Sequence, residues 1–231
     1  MYQDIDPEIA SLLFEVKKNQ LKMVRRRGYN ISREEGILNL TLPQFLKTYV
    51  PFAKQQNRSF RSVMTNVYEN DVGGRLLVYY ADVPSGTTQL GKNEVGCAIS
   101  SMEKYKLHDA VIITAKQLSP SASKHVASLV SENIQIFLED EMSYDPTEHF
   151  LVPKHIPLSP DEAREFLDTN GISIDQMPIL RSDDIIIKNL GLRGGRIVKI
   201  ERDNMFGSVE RSGNVENMIF KSVTYKAVKD V

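Results

Sequence analysis

The chain has 231 residues, long enough for one large core or two modest ones. With 41% apolar and 26% charged residues it has the composition of an ordinary globular protein. Its net charge of −1 excludes a module that holds nucleic acid by bulk charge. Charge is also even along the chain: residues 1–148 hold 17 Lys/Arg against 18 Asp/Glu, and residues 149–231 hold 12 against 12. The single cysteine, Cys97, leaves no intrachain disulfide to form and suits a reducing compartment. The opening MYQDIDPE is acidic and no apolar run approaches the roughly 18 residues of a spanning helix, so neither a signal peptide nor a membrane span is expected.

Asp6 and Pro7 predict the cap and first residue of a helix. Ile9, Leu12, Leu13, Val16, Met23 and Val24 form its apolar stripe, interrupted by Gln20. Arg25, Arg26 and Arg27 fall in the last turn, where cations complement the helix dipole, and Gly28 ends it. The triplet could contact phosphate, but a solvated helix end is the preferred reading. A short helix is expected over Thr41–Tyr49, halted before Pro51. Residues 60–68 and 75–81 read as strands, the second apolar on both faces.

A helix is expected near 91–105 with Val95, Ala98, Ile99 and Met102 inward and Cys97 among the small buried residues. Then come a strand at 110–114, a helix from Ser119-Pro120 through Val130, and a strand at 134–138. The alternation implies a small, largely parallel sheet with right-handed crossovers. Residues 140–148 are polar and contain Pro146, and the domain boundary is placed there, dividing 1–147 from 148–231. Gly86-Thr87-Thr88-Gln89-Leu90-Gly91-Lys92-Asn93 approximates a phosphate-binding loop between strand and helix. Asn93 replaces the metal-binding hydroxyl, however, and the loop has few small residues to let amides crowd a phosphate. Nucleotide binding through Gly86–Lys92 is therefore the alternative reading of function.

The second part opens on the extended run Leu151-Val152-Pro153-Lys154-His155-Ile156, because the residue before a proline is pushed toward strand geometry. Ser159, Pro160, Asp161 and Glu162 form a strong helix start. Asp183 is the expected cap of a short apolar helix ending at Gly191. Gly194-Gly195 reads as a tight turn into a half-buried alternating strand at Arg196–Ile200. A polar loop at Gly207–Asn217 then leads to a last strand at 220–228. The four histidines, His108, His125, His149 and His155, lack ligand spacing with a carboxylate, and one cysteine cannot anchor a structural zinc. No catalytic residue, metal site or cofactor is expected.

Three stretches carry a family resemblance. LVPKHIPLSPDE at 151–162, MP at 177–178 and LGLRGGRIVKIER at 190–202 form an ordered series. It resembles the carboxy-terminal assembly domain of the fifth common subunit of eukaryotic nuclear RNA polymerases, a domain with an archaeal counterpart. Arg27-Gly28-Tyr29-Asn30-Ile31 followed by Glu34-Glu35 resembles the end of that family's first helix. Leu118-Ser119-Pro120-Ser121-Ala122-Ser123-Lys124 resembles its Thr-Pro-Ser-Ala motif, with Ser119 keeping the hydroxyl. The likeness is weakest over 36–70 and departs after Arg202, where about a dozen extra residues precede Tyr225-Lys226. That marks a divergent member, which could be encoded by a large DNA virus.

The resemblance implies an α/β fold: a jaw domain with helices around the sheet, then a small mixed α/β assembly domain. It implies a non-catalytic subunit of a DNA-dependent RNA polymerase. The partners would be the largest subunit, neighbouring small subunits and downstream duplex DNA, with no membrane and no homo-oligomer. The compartment would be the nucleus, or virion and host cytoplasm for a viral member. Leu151, Val152, Pro153, His155, Ile156, Arg193, Arg196 and Lys199 would lie at the assembly surface. Ser119, Pro120, Ser121 and Lys124 would face DNA, an assignment that competes with a plain helix cap.

Overall fold

The structure, a computed structural model, describes residues 6–84, 86–129, 131–211 and 214–230, with 203–220 described in backbone only. The chain divides into two compact units, Met1–Tyr144 and Asp145–Val231. The short turn Pro146–Glu148 therefore belongs to the second unit.

The first unit opens with α1 (Pro7–Arg26), capped by Asp6, whose carboxylate accepts from Glu8 N–H at 2.9 Å. Its inward face differs from the expected stripe. Ile9 is exposed, while Lys17, Asn19 and Gln20 are buried beside Leu13, Val16 and Leu21. α2 spans Leu42–Gln56 and runs straight through Pro51, correcting the expected stop near Tyr49. A proline inside a helix costs about 3 kcal/mol. Here the carbonyl it frees is that of exposed Lys47, which water can satisfy, and Phe45, Tyr49 and Ala53 hold one buried face across the break. Phe45 packs on Phe14, Tyr49 and Phe60 at ring separations of 5.2, 4.6 and 5.9 Å.

β1 (Asn66–Glu69) and β2 (Arg75–Ala81) pair antiparallel. The strand expected from residue 60 begins only at 66. Ser62–Met64 form a tight 3-10 turn with consecutive Val63 and Met64 buried, a pattern that alternation cannot satisfy. α3 (Lys92–Tyr105), β3 (Asp109–Thr114), α4 (Pro120–Ser128) and β4 (Asn133–Leu138) follow. β2, β3 and β4 are parallel, in the order β1-β2-β3-β4. α4 ends two residues before its expected limit, and Val130 lies outside the described residues. Leu77, Ala110, Ile112 and Ile134 face α3 and α4. Cys97 is exposed rather than buried: it stands two residues, about 200° of helix, from inward Val95. A short α5 (Glu139–Met142) ends the unit against α1, where Asn19 Nδ2 donates to Met142 O at 3.0 Å.

In the second unit, β5 (Lys154–Pro157), α6 (Pro160–Asn170), β6 (Ile179–Arg181), α7 (Ile185–Leu190), β7 (Ile197–Arg211) and β8 (Asn214–Lys229) form a sheet with two helices. The strand order is β5-β7-β8-β6, with β6–β8 parallel and the other pairs antiparallel. The expected alternation at 196–200 does not hold, since Ile197, Val198 and Ile200 are all buried. The reason is that both faces are covered. Ile197 and Ala227 pack with Ala163, Phe166 and Leu167 of α6, whereas Val198, Ile200 and Val228 pack with Ile187 of α7. The cap of α7 is Asp184, which accepts from Ile186 and Ile187 N–H. Asp183 instead forks onto Arg181 at 2.8 and 2.6 Å. Gly195, at φ +83°, makes the expected turn into β7. The loop expected at 207–217 is largely strand, because β7 and β8 continue as a long hairpin to Arg211↔Asn214, with one register shift between Met205 and Ser208. Residues 212–213, within that expected loop, lie outside the described residues.

Candidate docking surface and helix end

In the second unit, Pro153 and Pro157 bracket β5, whose backbone pairs Lys154↔Glu201 through Pro157↔Val198. His155 Nδ1 lies 2.7 Å from Pro153 O, so the imidazole is engaged by its own strand. Before β5 the chain turns, Val152 N–H donating to His149 O at 2.9 Å, and throws Phe150 and Leu151 outward. They are 87% and 72% exposed, although Phe150 stacks on His149 at 5.1 Å. With Val152, Pro153 and Lys154 they line an open cleft of about 520 Å³, completed by Glu201, Arg202 and Lys221.

The sequence-predicted surface residues do not all converge. Leu151, Val152 and Pro153 share that cleft. Ile156 and Lys199 line a different groove of about 420 Å³, between α6 and the sheet, with Leu158, Glu162, Phe166 and Tyr225. Its floor is the Phe166–Tyr225 stack at 4.2 Å, and Lys199 is tied to Glu201 at 2.7 Å. Arg193 and Arg196 are exposed on the turn before β7, where Arg196 donates to Leu158 O at 3.0 Å. Phe150, the most exposed aromatic of the cleft, was not singled out in the sequence; a Phe-Leu pair ahead of Val-Pro was the available signal.

In the first unit, Ser119 caps α4, its Oγ accepting from Ala122 N–H at 3.3 Å and lying 3.1 Å from Ser121 Oγ. Pro120, Ser121 and Lys124 are exposed. The free amides of a helix start carry partial positive charge, so this end suits an anionic neighbour. The Gly86–Lys92 loop beside it is built differently from a phosphate cradle. Leu90 is fully buried and bridges Leu118. Leu90 N–H is given to Gln117 O and Thr87 N–H to Pro84 O. The Glu94 carboxylate lies over Gly91, 2.5 Å from where a Cβ would stand. A phosphate there would meet two spent amides, those of Thr87 and Leu90, and a resident negative charge.

The densest chemistry of the first unit was not legible as a motif. Lys17 is fully buried, and its Nζ donates to Glu34, to Met64 O at 3.2 Å and to Tyr68 OH at 3.2 Å. Glu34 also accepts from Tyr68 OH and, at 3.2 Å, from Tyr49 OH. Gln20 joins the hydroxyls of Tyr68 and Tyr80. Burial lowers the Lys17 pKa although Glu34 opposes it. Burial raises Glu34, but Lys17 and the tyrosine hydroxyl outweigh it and hold the carboxyl below its usual range. The directions agree with the depths, since Lys17 has no exposed side chain and Glu34 retains some. The polar Gln20 within the apolar stripe was the one sequence hint. Arg27 also departs from the solvated end expected of the Arg triplet: it donates to Gln135 at 2.7 Å, and burial lowers its pKa to about 10. Arg61 forks onto buried Glu139 at 2.6 and 2.9 Å.

Each unit contains a match to one of a known pair of domain families. Residues 8–93 match the family described as "RNA polymerase Rpb5, N-terminal domain", and residues 144–209 match "RNA polymerase Rpb5, C-terminal domain". The chain is 28% identical over 193 residues to the Caenorhabditis briggsae protein named "DNA-directed RNA polymerases I, II, and III subunit RPABC1", covering 82% of this chain and 88% of that one. It is 29% identical over 202 residues to "DNA-directed RNA polymerase subunit 5-like protein 1" of Arabidopsis thaliana, covering 87% and 93%. A two-domain α/β polymerase component is thus the class defined by fold and sequence together. The chain belongs to the Rpb5 family, as a divergent member.

Proposed function

We propose that the chain is a non-catalytic subunit of a multisubunit DNA-dependent RNA polymerase working in the nucleus. Its second unit docks on the largest subunit, with small subunits adjacent, and its first unit rests against downstream duplex DNA. Membership of the Rpb5 family supports the subunit role. The observation that carries the docking reading is the pair Phe150 and Leu151, held nearly bare beside the 520 Å³ cleft. Large apolar side chains on a turn, rimmed by Lys154, Glu201, Arg202 and Lys221, have the make-up of an interface core with its polar rim. Val152 and Pro153 line the same cleft, and His155, the separate groove of Ile156 and Lys199, and the turn with Arg193 and Arg196 would extend the docking surface beyond it. On the DNA side, Ser119, Ser121 and Lys124 offer hydroxyls and one cation at the start of α4, enough for a weak backbone contact within a larger complex.

The test is purification of the native polymerase from cells carrying Leu151→Ala, Val152→Ala and Ile156→Ala together. Loss of the chain from the complex is expected, and full retention refutes the placement. Fractionation of nuclei from cytoplasm and virions in the source cells separates the nuclear member from a viral one. The Gly86–Lys92 alternative is not favoured by the committed amides and the Glu94 carboxylate.

A further inference from the structure

Each four-stranded sheet has two edge strands, and three of the four are guarded. The outer side of β1 is taken by the chain itself, since Asn30 N–H donates to Glu69 O and Tyr29 bridges Asn70. β5 has four residues, including Lys154 and Pro157, and β6 has three, ending in Arg181. Shortness, charge and proline are the usual means of keeping an edge from pairing with another chain. β4 is the longest of the four edge strands and has neither charge nor proline within it. Asn133-Ile134-Gln135-Ile136-Phe137-Leu138 is six residues in unbroken register, with no charge and no proline.

The direction of its backbone groups is fixed at both ends. Asn133 N–H donates inward to His108 O, and Leu138 N–H turns out to the Glu141 carboxylate at 3.0 Å. Alternate residues of a parallel strand face the same neighbour, so Asn133, Gln135 and Phe137 face β3. Ile134 and Ile136 then present N–H and C=O outward, and among the described residues no partner lies on that side. The side chains fit an unfinished edge. Ile134, Ile136 and Val126 of α4 are only half-buried, whereas Ile112 on the neighbouring strand is fully buried against the same helices.

We infer that β4 accepts an extended segment of a partner polypeptide as a fifth strand. The four outward backbone groups specify main chain, and the half-buried Val126, Ile134 and Ile136 call for apolar residues at alternate positions of that segment. The window is short, closed by Glu141 at one end and by the turn in which Glu132 N–H meets Leu129 O at the other. Two copies of this chain pairing across it would fall far below the roughly 1,200 Å² of a stable interface. A segment already held in the same assembly needs no more, because its effective concentration is high. The occupant is therefore a different chain, anchored elsewhere in the complex. Only the identity of that complex rests on the function proposed above.

Amide hydrogen exchange at Ile134 and Ile136 tests this, comparing the isolated full chain with the polymerase purified through it. Failure to purify a polymerase would strike the proposed function, and is seen before any exchange is read. In the isolated chain these two amides should exchange freely while Gln135 and Phe137 are protected. In the complex both should slow by at least about tenfold, the mark of a new ladder bond. Equal exchange in both samples overturns the inference, as does protection in the isolated chain accompanied by a dimer mass in sedimentation. Ile136→Pro deletes an outward N–H without removing a bond to β3, and should abolish the added protection at Ile134. Ile134→Lys, read at the Ile136 amide, is the milder second variant. Protection undiminished in both variants also overturns it.

Discussion

Replacing Lys17 with Met should destabilise the first unit by about 3 kcal/mol, the lower end of the cost of removing one partner from a buried ion pair. The lower end applies because Glu34 keeps the hydroxyls of Tyr49 and Tyr68 and has some contact with water. Met fills nearly the space of the lysine stem, so the loss reports charge and hydrogen bonding rather than a cavity. Adding Glu34→Gln removes the stranded carboxylate and should recover at least half the loss. The assay is urea unfolding of the full chain followed by tyrosine emission, since the protein has no tryptophan and eight of its nine tyrosines precede residue 145. The pH dependence carries a sign. The Glu34 carboxyl sits below its ordinary range in the folded state, so its contribution is present above the unfolded value of about 4.3 and is lost as acid protonates it. Without Lys17, burial should push the same carboxyl up, and the deficit of the Lys17→Met variant should shrink as pH falls. A Lys17→Met variant within about 1 kcal/mol of wild type, or a double variant no better than the single, refutes this account.

Phe150→Asp should leave the urea midpoint unchanged, because the ring is mostly in water, yet reduce the share of chain in the native polymerase several-fold, measured by quantitative mass spectrometry. Lys124→Glu should weaken photocrosslinking to downstream duplex while assembly is unaffected; unchanged crosslinking would leave Ser119–Lys124 as a plain helix start. Asp184→Ala should cost about 1 kcal/mol in thermal unfolding, whereas Asp183→Ala, which loses only an exposed pair with Arg181, should cost less than about 0.5 kcal/mol.

Local signals were legible where one residue sets one torsion or one bond. The Ser159, Ser119 and Asp6 caps, the Gly191 terminus and the βαβαβ order all follow from short-range chemistry, and the structure has them. What failed depended on the far side of the contact. Pro51 could stay helical because Phe45 and Tyr49 found Phe14 and Phe60. The strand after Gly195 lost its alternation because α6 and α7 cover opposite faces. The burial of Lys17 has no local signal because Glu34, Met64 and Tyr68, which make it tolerable, are 17 to 51 positions away. The candidate surface residues were found from resemblance rather than from chemistry. The structure separates them into the Leu151–Pro153 cleft and the Ile156–Lys199 groove, a division by position along the β5–β7 pair, since Lys154 in the cleft and Ile156 in the groove share one face of the strand.

Glu34 is the group that most invites a catalytic assignment. It has a displaced pKa, and with Asn30, Asn66, Tyr68 and Asp71 it lines an open cleft of about 550 Å³. Perturbed carboxylates in clefts are fair candidates for acid–base work. The geometry argues otherwise. One carboxylate oxygen takes Lys17 Nζ and Tyr49 OH, and the other takes Lys17 Nζ and Tyr68 OH, so its accepting capacity is consumed within the core. The tyrosines are themselves driven up by burial and by that carboxylate, which removes them as bases near neutral pH. A network that spends every lone pair on itself fixes α1, α2, β1 and β2 as one block. Arg61 with Glu139, and Asn19 with Met142 O, tie α5 and the end of β4 to the same block. Such rigidity is of little use to an acid–base centre, which needs a proton to leave. It suits the proposed role, in which the start of α4 and the edge of β4 are offered at fixed places to larger partners.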